Sequence, residues 1–335
     1  NLLMPYPDAR GHATEIDPPG GWVARMTEEG DWQLYSTGYR NPFDLAFNRE
    51  GELFVFDSDM EWDFGMPWYR PIRICHATSG SEFGWRRGTG KWPKYYPDAL
   101  PPVVELGQGS PTGLLFGDAL KFPQKYQNGL FAADWSFGTM YFVSLDENGS
   151  TYRGSLEQFL YGVPLPIADV IAGSEGHMYF TIGGRRLDSR VYRLRYVGDE
   201  NTDPAASAAN AESDSLRTLR YELERLHTGP QPGAVTASWP YLDHPDRFVR
   251  FAARVALETQ PVDRWQSQYF LEKKTSKLIP LTLALARSAD PDPALLNRII
   301  SKTKEIDFDD LDRDDKLDFI RAIEVLLCRM GMPND

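Results

Sequence analysis

Cysteine is scarce. The 335 residues contain only Cys75 and Cys328, too few for a disulfide framework, and neither stands in a C-x-x-C or C-x-x-C-H spacing. A zinc ribbon and a covalently attached haem are thereby excluded from these residues. A basic excess is lacking as well: 36 Lys+Arg stand against 48 Asp+Glu, a formal charge of −12. A nucleic-acid binder needs a basic footprint for phosphate, and none is hidden here, since residues up to Gly198 carry 18 basic and 24 acidic groups and the remainder carries the same. No apolar run approaches the roughly 18 residues of a membrane span. Nucleic acid and a membrane-spanning segment are therefore not expected. The chain opens at Asn1 with neither signal sequence nor initiator Met, which reads as a processed piece and leaves location undecided.

What is present is a 41% hydrophobic chain, enough to exclude wholesale disorder, with a length that suggests about two domains. Its composition changes near residue 198. Of the 28 glycines, 25 lie at or before Gly198, as do 33 of the 43 aromatics. Residues 199–214 are small and polar without apolar period and read as a linker. Three stretches before it share a strand, Gly turn, strand template: Phe43 to Asp57, Thr112 to Asp134 with an insertion, and Ala168 to Thr181. Each is followed by a further strand, starting at Ile72, Met140 and Val191. Meandering units at such a period predict β-propeller blades over residues 1–198. A β-sandwich is the alternative, but it has no need of one template three times. About three blades are visible where a closed ring takes four to eight, so the β part reads as the C-terminal part of a propeller.

Beyond the linker the period turns helical over 215–335. Leu216, Leu219, Leu223 and Leu226 form one stripe. Asp243-His-Pro-Asp246 supplies cap and proline signals for a helix from Phe248 to Leu257, and further helices are predicted over Val262–Glu272, Ser276–Arg287, Pro293–Lys304 and Lys316–Met330. The stretch from Asp246 to Leu257, with Val249, Arg250, Ala253 and Ala256, resembles a HEAT-type repeat; an ordinary helical bundle is the alternative.

Several residue groups could carry chemistry. Asp57, Asp59, Glu61 and Asp63 alternate, so in extended backbone they would share one face; that face would repel itself without a cation, and calcium prefers such oxygens. Pairing with Arg70 or Arg73, or simple solvation, is the other reading. The same loop end should carry Arg40, because the strand ending at Asp57 follows directly on the strand starting at Phe43. Arg185 and Arg186, with Arg190, make the one concentrated positive spot in the β part and suit either an anionic ligand or an inter-blade salt bridge. Trp62, Trp68, Trp85, Trp92, Tyr95 and Tyr96 crowd one insertion and can stack on a ring or pack the loop. His12 could reach the central face as a base or ligand, or be a turn residue; His76 and His177 are weaker candidates.

The segment Gly38-Tyr-Arg-Asn-Pro-Phe-Asp-Leu-Ala-Phe47, with Gly51-Glu-Leu-Phe-Val-Phe-Asp57 behind it, resembles the G-x-R-N-P motif of the soluble glucose/sorbosone (aldose sugar) dehydrogenases, six-bladed propellers that use pyrroloquinoline quinone (PQQ). Ser110-Pro-Thr-Gly-Leu-Leu-Phe116, Lys121-Phe-Pro123 and Gly129-Leu-Phe131 look like another blade of that family. Asp57 to Asp63, Gly90 to Pro97, Gly183 to Arg186 and the helical tail look closer to large planctomycete-type dehydrogenase-like proteins, in which such a propeller precedes HEAT repeats and often a c-type haem domain. The resemblance implies a periplasmic or secreted oxidoreductase that takes hydride from a sugar or other small alcohol and passes electrons to a haem partner, with PQQ and Ca2+ as cofactors and Arg40 and Asn41 on the quinone. This chain departs from the family at Phe43, where a Gln contact falls, at Asp57-Ser58-Asp59-Met60, where a calcium-holding loop falls, at Pro166 and Ala168, where an arginine pair falls, and near Ser136, where a lysine falls. Those departures weigh against the quinone and keep open a structural role for Arg40 and Asn41, as an inter-blade tie and an Asn-Pro turn, and a rival to the dehydrogenase reading, a non-catalytic propeller and solenoid that binds glycan or protein partners.

Overall fold

The computed structural model describes residues 21–86, 88–184, 186–206 and 210–333. His12 and Arg185 lie outside the described residues. The described residues build four β-sheets followed by a helical part. β1 (Gly21–Met26) and β2 (Trp32–Tyr39) form an antiparallel pair. The next sheet runs through β3 (Pro42–Phe47), β4 (Leu53–Asp57) and β5 (Ile72–Ala77). After them β6 (Ser81–Glu82) returns to pair in parallel with β2, and β7 (Val104–Gly107) completes the second sheet beside β5. The third sheet holds β8 (Pro111–Phe116), then, after a short helix α1 (Gln124–Gln127), β9 (Gly129–Asp134), β10 (Thr139–Asn148) and β11 (Thr151–Tyr161). The fourth is β12 (Ile167–Ala172), β13 (Met178–Gly184) and β14 (Leu187–Leu194). The sheet of β1, β2 and β6 was not expected from the shared template, because its third strand is two residues long and joins from 45 positions away.

The sheets stack face to face. β4 and β9 are buried along their whole length, which is why both read as continuous apolar runs rather than alternating ones. Phe54, Phe56, Ile72 and Ile74 of the second sheet meet Leu114, Phe116 and Leu130 of the third. The other face of the third sheet, with Phe131, Met140 and Phe142, meets Ile167, Val170, Met178 and Phe180 of the fourth. The first strands of these sheets are neighbours, β3 beside β8 and β8 beside β12. An aspartate ties two of them: Asp44 Oδ2 accepts the Leu114 amide at 2.8 Å. Gly113 is needed there, since a Cβ would stand 2.7 Å from the Val170 amide nitrogen.

The helices are α2 (Ala211–Glu224), α3 (Ala234–Ser238), α4 (Arg247–Glu258), α5 (Gln266–Leu271), α6 (Thr275–Ser288), α7 (Pro293–Thr303) and α8 (Arg313–Met330). Cap chemistry sets several starts: Asn210, Asp246, Asp292 and Asp312 each accept amides from the first turn of the helix that follows. The helix expected over Val262–Glu272 is broken at the fully buried Trp265, with a 3₁₀ turn before it and α5 after it. The longer helices pack in a row, α2 on α4, α4 on α6 and α6 on α8, around a core that includes Trp265, Tyr269, Leu281, Leu285 and Leu326.

The change of composition near residue 198 leads one to expect two separate cores joined by one apolar contact. The packing differs. Phe248 and Phe251 of α4 belong to the same core as Tyr39, Leu53, Val55, Cys75 and Phe83. Charged groups cross the boundary in depth: Glu52 accepts from His76 at 2.8 Å and pairs with Arg220, while His76 also bonds Thr151 at 2.9 Å. Asp98 accepts from Arg321 at 3.0 and 2.8 Å and has Arg287 at 3.6 Å. Burial holds His76 neutral, so its Nε2–H donates to Glu52. His76 is thus a structural group, not a metal ligand.

His227, at the same boundary, donates from Nε2 to the Ala252 carbonyl at 2.9 Å and accepts from the Ser79 hydroxyl at 3.0 Å. Burial pushes its pKa down to about 4, against about 6.5 in the unfolded chain. Between those values only the unfolded chain binds the proton, so this group adds stability as pH rises through the window and withdraws it as pH falls. The expected withdrawal at pH 5 is about 2 kcal/mol. Urea unfolding at pH 7.5 and pH 5 should therefore show a smaller acid loss in His227→Gln than in the parent, by about that amount; equal losses would refute it.

Candidate functional site

One end of the sheet stack gathers Arg40, Asn41, the acidic run from Asp57 to Asp63 and Arg186. Pro42 stands opposite Asp57, Pro111 opposite Asp134 and Ile167 opposite Ile182, so in each sheet the start of the first strand and the end of the second lie together. Contacts across sheets align these ends: the Thr112 hydroxyl donates to the Ile167 carbonyl at 2.9 Å, and Trp135 Nε1 donates to the Gly183 carbonyl at 2.7 Å.

Asp57 is the pin of this end. Fully buried, it accepts the Arg40 amide at 3.0 Å, the Asn41 amide at 2.9 Å, and Arg73 Nε and Nη2 at 3.1 and 3.0 Å. Burial pushes its carboxyl up, and these four donors act in the other direction. The rest of the Arg73 fork holds the carbonyls of Phe83 at 2.8 Å and Gly38 at 3.0 Å. Asp134 repeats the device one sheet further on, accepting the amides of Ser110, Ser136 and Phe137 at 2.6, 3.1 and 3.0 Å. The signal for it was in the sequence: Leu-Phe-Val-Phe-Asp57 and Leu-Phe-Ala-Ala-Asp134 end the same template on the same residue.

Arg40 and Asn41 are thereby held at the lip. The Arg40 guanidinium donates to Ser58 Oγ at 2.9 Å and pairs with Glu61 at 3.4 Å. The Asn41 side chain is exposed and makes no hydrogen bond among the described residues. Arg40 and the acidic run do share this end, and the pairing geometry is the one found. The four carboxylates do not converge. The strand stops at Asp57, Glu61–Asp63 is a 3₁₀ turn, and the alternation that would keep one face is lost. Asp57 belongs to Arg73; buried Asp59 accepts from Tyr69 Oη at 2.6 Å; Glu61 faces Arg40; Asp63 takes Lys91 at 2.6 Å. Among the described residues no group of three or more His, Cys, Asp or Glu is placed to hold a metal ion. The expected calcium cluster is therefore replaced by four separate pairings.

Arg186 sits on the β13–β14 turn at this end, two sheets from Arg40, exposed and in the left-handed region at φ 61°. Arg190, on β14, stands opposite Ile182. The insertion's aromatics divide. Trp92 is sandwiched by Arg86 at 4.0 Å and Arg321 at 4.5 Å, and Tyr96 also meets Arg321, at 4.2 Å; these pack the loop onto the helical part. Trp62, 77% exposed, stays at the lip with Phe64, Phe137 and Tyr161, all at least half exposed. His177 turns toward Glu175 at 3.4 Å. Tyr69, Trp135 and Ser58 were not singled out from the sequence, since nothing in their local pattern distinguishes them from turn residues.

The quinone expected from the resemblance carries three negative charges. Among the described residues the lip offers Arg40, already shared with Glu61, Arg70, which donates to the Tyr69 carbonyl, and the distant Arg186 and Arg190; the family's cation positions are Pro166, Ala168 and Ser136, and Asp59 and Glu61 add negative charge beside Arg40. These residues do not fit a tri-anionic quinone. They fit a neutral ligand with hydroxyl groups, for which carboxylates, an amide and a guanidinium supply acceptors and donors and exposed aromatic rings supply a stacking face.

No family model and no curated protein matches the chain. Solved structures with partial similarity include an oxidoreductase of the glucose dehydrogenase type from Thermus thermophilus (24% identity, 48% of this chain and 46% of that one, TM-score 0.39). Others are the PQQ-bound form of aldose sugar dehydrogenase from Streptomyces coelicolor (18%, 55% and 54%, 0.39) and the apo-form of the soluble aldose sugar dehydrogenase from Escherichia coli (21%, 50% and 53%, 0.38). The chain spans about half the length of each. Among the described residues no helix is long and apolar enough to cross a membrane.

Proposed function

We propose that the four sheets are blades of a sugar-dehydrogenase-like propeller and that their loop end receives a sugar or other small polyol. The observation that carries this reading is the lip itself, where the Asp57–Arg73 pair fixes Arg40 and Asn41 beside Asp59, with Trp62 exposed at its edge. The G-x-R-N-P similarity supports it from the sequence. In this reading Asn41 and Arg40 donate to ligand hydroxyls, Glu61 accepts from them, and Trp62 covers a sugar face. HEAT-type stacking of the helical part and a periplasmic or secreted setting belong to the same proposal; a haem acceptor does not, because the lip residues do not fit the quinone that would feed it. A second reading, a binding scaffold without redox chemistry, is favoured by the loss of cations at Pro166, Ala168 and Ser136.

Tryptophan fluorescence of the chain titrated with glucose and other aldoses tests the proposal. Saturable quenching is expected, weakened at least about fivefold in Asn41→Ala and in Trp62→Ala, each of which removes one contact of a kind worth about 1 kcal/mol or more. Absence of saturable aldose binding in the parent chain would overturn it. Added PQQ and Ca2+ should yield no bound-quinone absorption band and no aldose-dependent dye reduction; a band with dye reduction would refute the scaffold reading and restore the quinone site.

A further inference from the structure

Away from the lip, a cavity of about 240 Å³ lies between α4, α6 and α8. Its charge arrangement is unusual. Arg247, Arg250 and Arg254, spaced i, i+3 and i+7, share one face of α4 and make one wall. Asp314, Asp315 and Asp318, on the first turns of α8, make another. Among the described residues no ion pair joins the two walls, whereas the buried carboxylates Glu52 and Asp98 at the same boundary each hold a guanidinium.

Each wall has unused capacity. Arg254 is 2% exposed, and while its Nη1 reaches Glu258, its Nη2 has no hydrogen-bond partner among the described residues. Arg250 donates to the carbonyls of His244 and Pro245 and is in no ion pair among the described residues, facing Asp315 and Asp318 only across the cavity. On the other side burial pushes Asp318 up to about 6, with Arg250 and Arg247 opposing from across the cavity. A backbone acceptor on α6 also loses its usual donor. Pro280 stands inside α6 and has no N–H, so the carbonyl of Ser276, four residues earlier, lacks its helical donor; both residues line the cavity. The floor is apolar, built from Phe251, Ile279 and Leu283.

An anion alone would meet the aspartates, and a cation alone would meet the arginines. A molecule carrying both charges on an apolar body satisfies both walls. We propose that this cavity binds a small zwitterion of the apolar α-amino acid class, its carboxylate on Arg250 and Arg254 and its ammonium on Asp318 and the Ser276 carbonyl. The site is independent of the sugar proposal, sharing no residue with the lip.

Isothermal titration of the chain with L-leucine tests it, with L-leucinamide, which lacks the carboxylate, and 4-methylpentanoate, which lacks the ammonium, as controls. Saturable leucine binding is expected, with each control at least about tenfold weaker. Arg250→Gln and Asp318→Asn should each weaken leucine at least about tenfold while keeping the parent far-ultraviolet circular dichroism. If Arg250→Gln misfolds, Asp318→Asn alone decides, since an amide there removes charge without changing shape. No saturable binding up to about 10 mM leucine, a control that binds as tightly as leucine, or unchanged affinity in Asp318→Asn would each overturn the proposal.

Discussion

A chain cut after Gly198 should not retain a cooperatively folded β part. The cut removes Phe248 and Phe251 from the core they share with Tyr39, Leu53, Val55 and Cys75, and returns those faces to water. It also strips Arg220 from Glu52 and both Arg321 and Arg287 from Asp98. The same cut lets water reach both carboxylates, so the main cost is the exposed apolar face, about 1.5–3 kcal/mol for each large side chain that loses its cover, against a whole domain stability of about 5–15 kcal/mol. Urea unfolding of the truncated chain, followed by circular dichroism, should show a broad or absent transition. A sharp transition at the parent midpoint would show that the sheets stand alone.

Asp57→Asn should cost about 3–5 kcal/mol and abolish ligand binding at the lip together. The substitution keeps the shape and removes the charge from a buried pair. One amide face would also present N–H groups to the N–H donors of Arg73 or to those of Arg40 and Asn41, all of which now donate to the carboxylate. The measurement is paired: urea midpoint for stability, aldose titration for the lip. Asp57→Asn combined with Arg73→Met should recover part of the stability, since no guanidinium is then left unpaired, but none of the binding, because Arg40 and Asn41 remain unpinned. Stability within about 1 kcal/mol of the parent for Asp57→Asn alone would refute the role of Asp57 as the pin.

The fate of the acidic run shows how far local pattern reaches. Alternation of Asp57, Asp59, Glu61 and Asp63 is a statement about one face only while the backbone stays extended. The backbone turns at Glu61, and four partners from four places, Arg73, Tyr69, Arg40 and Lys91, each take one carboxylate. Arg73 was a pairing partner open from the sequence and Arg40 was expected at the same end; Tyr69 and Lys91 were not legible, because Lys91, for one, is 28 residues from Asp63 and reaches it only after the insertion has folded back. The expected nearness of Arg40 and Asp57 did follow from the sequence, because an antiparallel pair joined by a short turn leaves no other place for its ends.

Residue order alone was enough for the local elements: the three strand, turn, strand templates, their aspartates at Asp57 and Asp134, and the helix starts after the cap signals ending at Asp246 and at Pro293. Side-chain period and cap chemistry are local, so a few residues suffice to specify them. Long-range packing, and nothing in the local pattern, put β6 beside β2, shared α4 between the sheets and the helices, and set arginines and aspartates facing each other unpaired across the α4–α8 cavity. Those outcomes depend on which distant surfaces meet, and burial makes a distant partner obligatory: a charge such as Glu52 or Asp98 cannot enter the interior without its guanidinium, wherever in the chain that guanidinium lies.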